Sequence, residues 1–267
     1  MRSGLLLTLL LLVSGCAGTS LEIPPHAIAG TRAAKIALPG KLFLPSGTGP
    51  HPVVILLHGC DGLSPSTVAG SGMERWVSRV NGWGYAALVL DSMSPRGVSG
   101  VCPSADQPKV TVVDRSGDVV SAALYLRGIK EIDGNRIAAM GFSHGGATAA
   151  RTAVAPAGAQ ARPLLKAAID YYGSCAGAAS YTGLPLLVLA GGDDDWGNPA
   201  ATCTNFGRAV GKDQPFQVVV YPGVVHAFDS AWLIRRIVSN GHALQYDQAA
   251  AEDSFVRARA FLDRYVK

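Results

Sequence analysis

The sequence predicts an α/β protein with a mostly parallel central sheet and helices on both faces. Short apolar runs alternate with helical patterns along most of the chain, which is typical of sheets built from strand–helix–strand units. Residues 52–57 form a continuous apolar run, as expected of a strand buried on both faces. Glycines and polar residues follow several such runs, at the sheet edge where these folds bind ligands.

The composition indicates one globular domain, which we place over residues 32–267. Of 267 residues, 48% are hydrophobic and 16% are charged, which excludes a disordered or fibrous chain. The net charge of +4 is spread along the chain without a basic block. Nucleic acid is therefore not expected as a partner.

The predicted elements fill this domain. Strands are expected over residues 32–44 (a weak pair), 52–57, 85–90, 136–140, 167–171, 184–190 and 216–221. Helices are expected over residues 73–81, 114–128, 143–154, 199–210 and 248–266. Asp114 opens the second helix, and the last helix is strongly amphipathic.

The first residues resemble a targeting segment rather than part of the fold. Arg2 is followed by an apolar stretch over residues 5–13 that is too short to span a bilayer. Small residues then precede Cys16, as in the bacterial lipoprotein cleavage box. We expect a signal peptide over 1–15, a lipid-bearing Cys16 and a tether over 16–31. The alternative is an ordinary signal peptide with an incidental cysteine.

Such a segment implies export. The protein would be lipid-anchored in a bacterial cell envelope and would face the periplasm or the cell surface. The four remaining cysteines, an even number in an exported chain, indicate two disulfides: Cys60, Cys102, Cys175 and Cys203. Three pairings are possible, and the spacing does not choose between them. No C-x-x-C spacing is present, so neither a zinc site nor any other metal or cofactor is expected.

A candidate nucleophile lies between a predicted strand and a predicted helix. Residues 141–146 read Gly-Phe-Ser-His-Gly-Gly, a G-x-S-x-G motif in the strand–turn–helix context that it requires. The sharp turn exposes the Ser143 hydroxyl, and the glycines leave room where strand and helix crowd together. The alternative is a glycine-rich turn with an incidental serine.

An orienting acid and a base follow this serine in the order that the motif requires. Residues 191–196 read Gly-Gly-Asp-Asp-Asp-Trp after a predicted strand. We prefer Asp194 as the acid, and Asp195 is the alternative. His226 lies in the loop after the last predicted strand and is the candidate base. His242 ranks below it, because no strand is predicted before it.

The loop after the first buried strand is the candidate second half of an oxyanion hole. Acyl transfer requires two backbone amides that point at the carbonyl oxygen. We assign them to Cys60 in this loop and to His144, the residue after the nucleophile. Gly59 would let the backbone approach the substrate closely.

Together these motifs resemble the dienelactone hydrolase family of the α/β-hydrolase superfamily. The resemblance rests on residues 58–60, 91–97, 141–146, 191–196 and 226–228. It implies the α/β-hydrolase fold without a large lid domain, and the hydrolysis of small-molecule esters or lactones. It also implies the disulfide pairs 60–102 and 175–203.

Two departures from the family pattern concern the substrate. Dienelactone-cleaving members use a cysteine nucleophile, whereas Ser143 is typical of general esterases. Those members also hold a substrate carboxylate with arginines. Arg96 lies near one such position, and Ser230 stands where another arginine is expected. Arg96 is therefore a candidate substrate clamp, with a salt bridge or a loop anchor as the alternative.

Three functions remain open at this point. The first is a serine hydrolase that cleaves carboxylic esters or lactones through an acyl-enzyme at Ser143. The second is a serine peptidase of the same fold, although the sequence contains no propeller or cap to gate peptides. The third is a non-catalytic envelope lipoprotein that binds a ligand. In each case Trp83, Trp196 and Trp232 are expected to shape the pocket, and only the lipid anchor would contact a membrane.

Overall fold

The computed structural model describes residues 18–63, 72–102 and 110–267. The strands are β1 (Thr19–Ile23), β2 (Leu38–Phe43), β3 (His51–Leu57), β4 (Ala86–Leu90), β5 (Ile132–Phe142), β6 (Ala167–Tyr171), β7 (Leu186–Gly191), β8 (Phe216–Tyr221), β9 (Ile237–Ser239) and β10 (His242–Leu244). The helices are α1 (Gly72–Gly82), α2 (Val112–Leu126), α3 (His144–Arg151), α4 (Ala157–Ala161), α5 (Pro199–Val210) and α6 (Gln248–Tyr265). A single 3₁₀ turn at Ser94–Arg96 follows β4.

Eight of these strands form one sheet in the order β1, β2, β4, β3, β5, β6, β7, β8. From β4 to β8 all neighbours run parallel, whereas β1 and β2 pair antiparallel at one side. The carboxyl ends of the parallel strands therefore meet at one edge, where the connecting loops can build a site. We call this the catalytic edge. The prediction of a mostly parallel sheet is confirmed.

Helices cover both faces of this sheet. Alternate residues of β3 point to opposite sides, so Ile55 belongs to one buried cluster and Leu56 to the other. Phe206 of α5 packs in the first cluster. Trp76 of α1 and Leu262 of α6 pack in the second. Each such side chain contributes about 1.5–3 kcal/mol on burial, which makes the sheet a rigid support for the loops at its edge.

The tether predicted over residues 16–31 is wrong for part of its length. Thr19–Ile23 is an edge strand that pairs with β2 along its whole length. Ile23 is fully buried, and Leu21 is half-buried. In this strand only these two side chains point inward. Two alternating apolar residues are too short a pattern to distinguish a strand from a linker.

Two strand predictions also change. The pair predicted over 32–44 is a single strand over 38–43, which lies between β1 and β4 in the sheet. Strand β5 begins at Ile132 rather than at 136. Residues 133–135 are Asp-Gly-Asn, a turn-like run that here continues the strand, and the pairing with β3 shifts register nearby.

The hairpin of β9 and β10 was not predicted. Its two-residue turn is Asn240-Gly241, with φ of +54° and +83°. Asn-Gly is the preferred pair for a type I′ turn, so a signal for this hairpin is present in the sequence. The parallel bridge from His226 to Leu244 joins the hairpin to the catalytic edge.

The N-terminal predictions lie outside the described residues, since signal peptide 1–15 and Cys16 precede them. Among the helices that the structure describes, none combines the length and apolarity needed to cross a bilayer.

Candidate active site

The candidate nucleophile Ser143 occupies a strained turn between β5 and α3. Its φ and ψ are +55° and −119°, a backbone conformation that is rare outside glycine. A Cβ at Gly141 would lie 2.0 Å from the carbonyl oxygen of Gly145, and one at Gly145 would lie 2.2 Å from that of Leu57. Only glycine fits at these two positions, which explains the G-x-S-x-G spacing physically.

Ser143, His226 and Asp194 form a continuous hydrogen-bonded chain. The Ser143 Oγ and the His226 Nε2 are 3.0 Å apart, and the His226 Nδ1 and the Asp194 Oδ2 are 2.7 Å apart. Asp194 and His226 are each 3% exposed, so water screens their interaction little. A Nδ1–H that donates to Asp194 leaves the His226 Nε2 lone pair free to accept the serine proton.

The two adjacent aspartates point in opposite directions and contact different histidines. Asp194 points inward to His226 and also accepts the Trp196 backbone N–H at 2.9 Å. Asp195 points outward, where its Oδ1 lies 3.0 Å from the His242 Nδ1. His242, ranked below His226 as the base, thus has its own surface partner away from the serine.

The loop after β3 approaches the nucleophile closely. A Cβ at Gly59 would lie 3.9 Å from the Ser143 Cβ, so this loop borders the space into which a substrate carbonyl must fit. His144 is the first residue of α3, where a helix offers unpaired amides. Within the described residues, neither the Cys60 nor the His144 amide has a hydrogen-bond acceptor.

A fully buried arginine, Arg115 of α2, joins these two segments. Its Nη1 lies 2.8 Å from the His144 Nδ1, and its Nη2 donates to the His58 carbonyl oxygen at 2.9 Å. Burial lowers the pKa of Arg115 to about 10, so the guanidinium is charged at neutral pH. Burial and the Arg115 charge lower the pKa of His144 to about 3. His144 is therefore neutral, and its Nδ1 accepts a hydrogen bond from the Arg115 Nη1.

A pocket of about 350 Å³ opens beside Ser143 and His226. Its walls are mainly aromatic and aliphatic, which suits a small organic substrate. They include Trp76, Phe142, Trp196, Trp232, Leu233 and Ile237. Trp196 also packs against His226, with ring centroids 5.0 Å apart. Trp83, in contrast, packs against Trp76 behind the pocket wall.

Three buried residues that line the pocket beside His226 were missed by the sequence analysis. Asp229 accepts hydrogen bonds from the Trp76 Nε1 at 2.7 Å and the Tyr172 hydroxyl at 2.6 Å. The Tyr172 ring meets His226 edge-on at 4.7 Å. Burial raises the pKa of Asp229, although these two donors oppose the shift. Position 229, three residues after the candidate base, was the only sequence signal for this cluster.

Arg96, the candidate substrate clamp, forms in this structure the salt bridge that was its predicted alternative. Its Nη1 and Nη2 donate to the two carboxylate oxygens of Asp118 at 2.8 and 2.9 Å. The same guanidinium also donates to the backbone oxygens of Ser92 and Arg32. The Arg96 side chain is 10% exposed and does not line the pocket. It therefore takes the alternative role of a salt-bridged loop anchor.

The structure pairs Cys60 with Cys102 and Cys175 with Cys203, as the family resemblance implied. The first disulfide links the loop after β3 to the segment that follows the 3₁₀ turn. Asp170 lies near the sulfurs of Cys175 and Cys203, and together they could form a metal-ligand group. Because these sulfurs are joined to each other, they offer no thiolate to an ion.

Comparison with known proteins agrees with this arrangement. The profile of the dienelactone hydrolase family matches residues 38–266. A search of curated protein sequences finds no match. Solved structures match the fold closely, although at low sequence identity.

Three of these structures are an esterase, a phosphotriesterase and a dienelactone hydrolase. The Pyrococcus furiosus esterase Pf2001 has a TM-score of 0.66 at 16% identity, with 94% of each chain covered. P91, a dienelactone hydrolase-like promiscuous phosphotriesterase from metagenomic libraries, has a TM-score of 0.62 at 21% identity. The Anabaena variabilis dienelactone hydrolase has a TM-score of 0.62 at 15% identity. For the last two, 94% of this chain and 100% of theirs are covered.

The family match covers most of the chain, and the fold of the neighbours agrees with it. Residues 38–266 include every segment that carries the candidate site, from the loop after β3 to His226. The chain therefore belongs to the dienelactone hydrolase family and is a hydrolase that acts on ester bonds.

Proposed function

We propose that the protein is a serine esterase that cleaves small carboxylic esters or lactones through an acyl-enzyme at Ser143. The single observation that carries this proposal is the chain from the Ser143 Oγ through both nitrogens of His226 to Asp194. A serine hydroxyl is a weak nucleophile without an adjacent base, and an oriented imidazole supplies that base.

The reaction follows from this geometry. The Ser143 Oγ attacks the carbonyl carbon while its proton passes to the His226 Nε2, and Asp194 stabilises the resulting imidazolium. The Cys60 and His144 amides donate to the oxyanion. The intermediate collapses as the alcohol leaves with the proton from Nε2. Water then attacks the acyl-enzyme by the same route and releases the acid and free Ser143.

The pocket supports a small and largely apolar substrate. Its walls of Trp196, Trp232 and Phe142 favour alkyl or aryl groups. With Arg96 paired to Asp118 and Ser230 at the pocket wall, neither position offers a cation to a substrate carboxylate. These features favour neutral esters over carboxylate-bearing lactones.

We also propose that the protein is exported and anchored at Cys16 in a bacterial cell envelope, where it faces the periplasm or the cell surface. The two disulfides support this location, because they persist in oxidising compartments.

The test uses p-nitrophenyl esters of increasing acyl length on protein produced in an oxidising compartment. We expect turnover by the wild type and a loss of about 10³-fold or more in Ser143→Ala. Ser174→Ala is the matched control, because its Oγ bonds to Thr202 and the Ala176 amide outside the pocket. A fluorophosphonate should label the wild type and the control but not Ser143→Ala. If all three proteins are inert and unlabelled, a binding lipoprotein is the better description.

A further inference from the structure

We infer that Arg115 is a positioning residue that holds together the two segments bearing the oxyanion-hole amides and places a buried positive charge behind them. This inference rests on the proposed function, since an oxyanion forms only if Ser143 attacks a carbonyl.

The geometry places one guanidinium between the two halves of the oxyanion hole. Its Nη1 bonds to the side chain of His144, whose own amide is one donor. Its Nη2 bonds to the carbonyl oxygen of His58, two residues before the other donor, Cys60. These segments come from different strands, β3 and β5, and Arg115 reaches them from α2. A single rigid fork thus sets the spacing between two amides that must converge on one atom.

The surroundings of Arg115 are unusual for a buried charge. Burying a guanidinium is costly unless a carboxylate compensates it. Arg96, the nearly buried arginine nearby, has such a partner in Asp118. Within the described residues no carboxylate forms a direct ion pair with Arg115, and the charges of Asp118, Asp91 and Asp61 favour the guanidinium only from a greater distance. Its Nε has no hydrogen-bond partner. Its partners are instead a neutral histidine and a carbonyl, both beside the nucleophile.

A buried positive charge without a directly paired carboxylate has a use in this position. Negative charge appears on the substrate oxygen only as the tetrahedral intermediate forms, so a fixed cation behind the amides stabilises that state more than the bound ester. The effect is larger at a buried site than in water, because screening is weak. Arg115 does not line the pocket, so it acts through His144 and the His58 peptide.

The experiment compares Arg115→Met and Arg115→Lys with the wild type. Methionine fills similar space without charge or hydrogen bonds, and lysine keeps the charge but loses the fork. The matched control is Arg151→Met, because Arg151 also anchors segments through two backbone carbonyls, those of Gly177 and Ala176. Arg151 does not line the pocket. Urea unfolding of each variant shows whether the fold survives.

Two inhibitors separate a positioning role from a merely structural one. A trifluoromethyl ketone adds to Ser143 and forms an oxyanion, whereas the matched amide binds only as a ground-state analogue. We expect Arg115→Met to lower kcat by about 10²-fold, with little change in KM. The affinity for the ketone should fall in parallel, while that for the amide is retained. Arg115→Lys should lose about tenfold, and Arg151→Met should resemble the wild type.

The outcomes are distinguishable. If Arg115→Met unfolds, the lysine variant alone decides: loss of ketone affinity with retained amide affinity supports the inference. Equal losses for ketone and amide, or a raised KM with unchanged kcat, overturn it. Wild-type levels of kcat in a folded Arg115→Met also overturn it, while leaving the esterase proposal intact. If the wild type itself neither turns over esters nor reacts with a fluorophosphonate, the proposed function fails and this inference fails with it.

Discussion

At the scale of single residues, Asp194 and Asp195 are neighbours in the chain with opposite environments. Asp194 is 3% exposed and bonds to His226, whereas the Asp195 side chain is 63% exposed and pairs with His242. An exposed pair of this kind contributes little to stability. The two carboxylates therefore form a matched pair for testing the proposed triad.

Asp194→Asn is expected to lower kcat by about 10³–10⁴-fold, because an amide that donates to Nδ1 favours the wrong histidine tautomer. Asp195→Asn should leave kcat nearly unchanged. Steady-state kinetics on one p-nitrophenyl ester measures both variants. Equal losses, or a larger loss in Asp195→Asn, would contradict the assignment of the acid.

At the scale of elements, the start of α2 depends on Asp114. The Thr111 Oγ1 accepts the Asp114 amide at 3.1 Å, and Asp114 in return accepts the Thr111 amide, which is a capping box. Arg32 adds a salt bridge at 2.6 Å. Burial opposes the charge of Asp114, but the hydrogen bonds from Arg32 and Thr111 prevail and lower its pKa to about 2.

Asp114→Asn is expected to lower the free energy of unfolding, and the deficit should depend on pH. A carboxyl whose pKa is lowered by folding stabilises the native state above its unfolded value of about 4. That contribution disappears as the pH falls from about 4 toward 2. Urea unfolding at several pH values should show the largest deficit at neutral pH. A constant deficit, or an equal pH dependence in the exposed Asp213→Asn, would contradict this.

The two disulfides brace different elements. The bond between Cys175 and Cys203 joins the loop after β6 to α5 across 28 residues. The bond between Cys60 and Cys102 spans 42 residues. The Val101 amide also donates to the Cys60 carbonyl oxygen at 2.7 Å, which adds a second tie to the loop after β3.

Replacing both cysteines of a pair by serine tests these two roles. Each double variant should lose about 3–4 kcal/mol of unfolding free energy, because the unfolded chain gains freedom. The variant at 175 and 203 should keep its kcat. The variant at 60 and 102 should lose about tenfold in kcat, since Cys60 supplies a proposed oxyanion donor. Loss of kcat in the variant at 175 and 203, with kcat retained in the variant at 60 and 102, would contradict these roles.

At the scale of the whole molecule, the direction of β1 bears on the proposed anchor. Thr19 pairs with Leu42, which pairs in turn with Leu88, and Ile23 lies nearer the catalytic edge. The amino end of β1 is thus level with the middle of β4, and the strand runs from there toward the catalytic edge. We therefore expect an anchor at Cys16 to hold the protein in an orientation that leaves the pocket open to substrate.

Cys16→Ser is expected to move the protein from the membrane fraction to the soluble fraction. Its kcat/KM on a water-soluble ester should equal that of the anchored protein, because β1 begins at the middle of the sheet and not at the catalytic edge, where the pocket opens. Fractionation followed by an ester assay measures both properties. A membrane-bound Cys16→Ser variant would contradict lipidation at this residue, and a large gain in kcat/KM on release would contradict the orientation.

Much of the fold and the site was accessible from the sequence, because the signals are local. Helices α1, α5 and α6 lie within one residue of their predicted bounds. Their apolar periodicity and flanking residues are contiguous in the chain. The turn at Ser143 was predicted for the same reason. A side chain in place of its glycines would clash with backbone a few residues away in the chain or in one neighbouring strand.

What only the tertiary structure decided are the contacts between distant segments. Asp194 and Asp195 differ only in direction, which depends on where His226 arrives 32 residues later. Arg96 is held by Asp118, and Asp229 meets Trp76 across 153 residues. Arg115 reaches His144 from another helix. A sequence pattern carries periodicity and order, but the partner of a polar side chain is set by packing of the whole sheet and its helices.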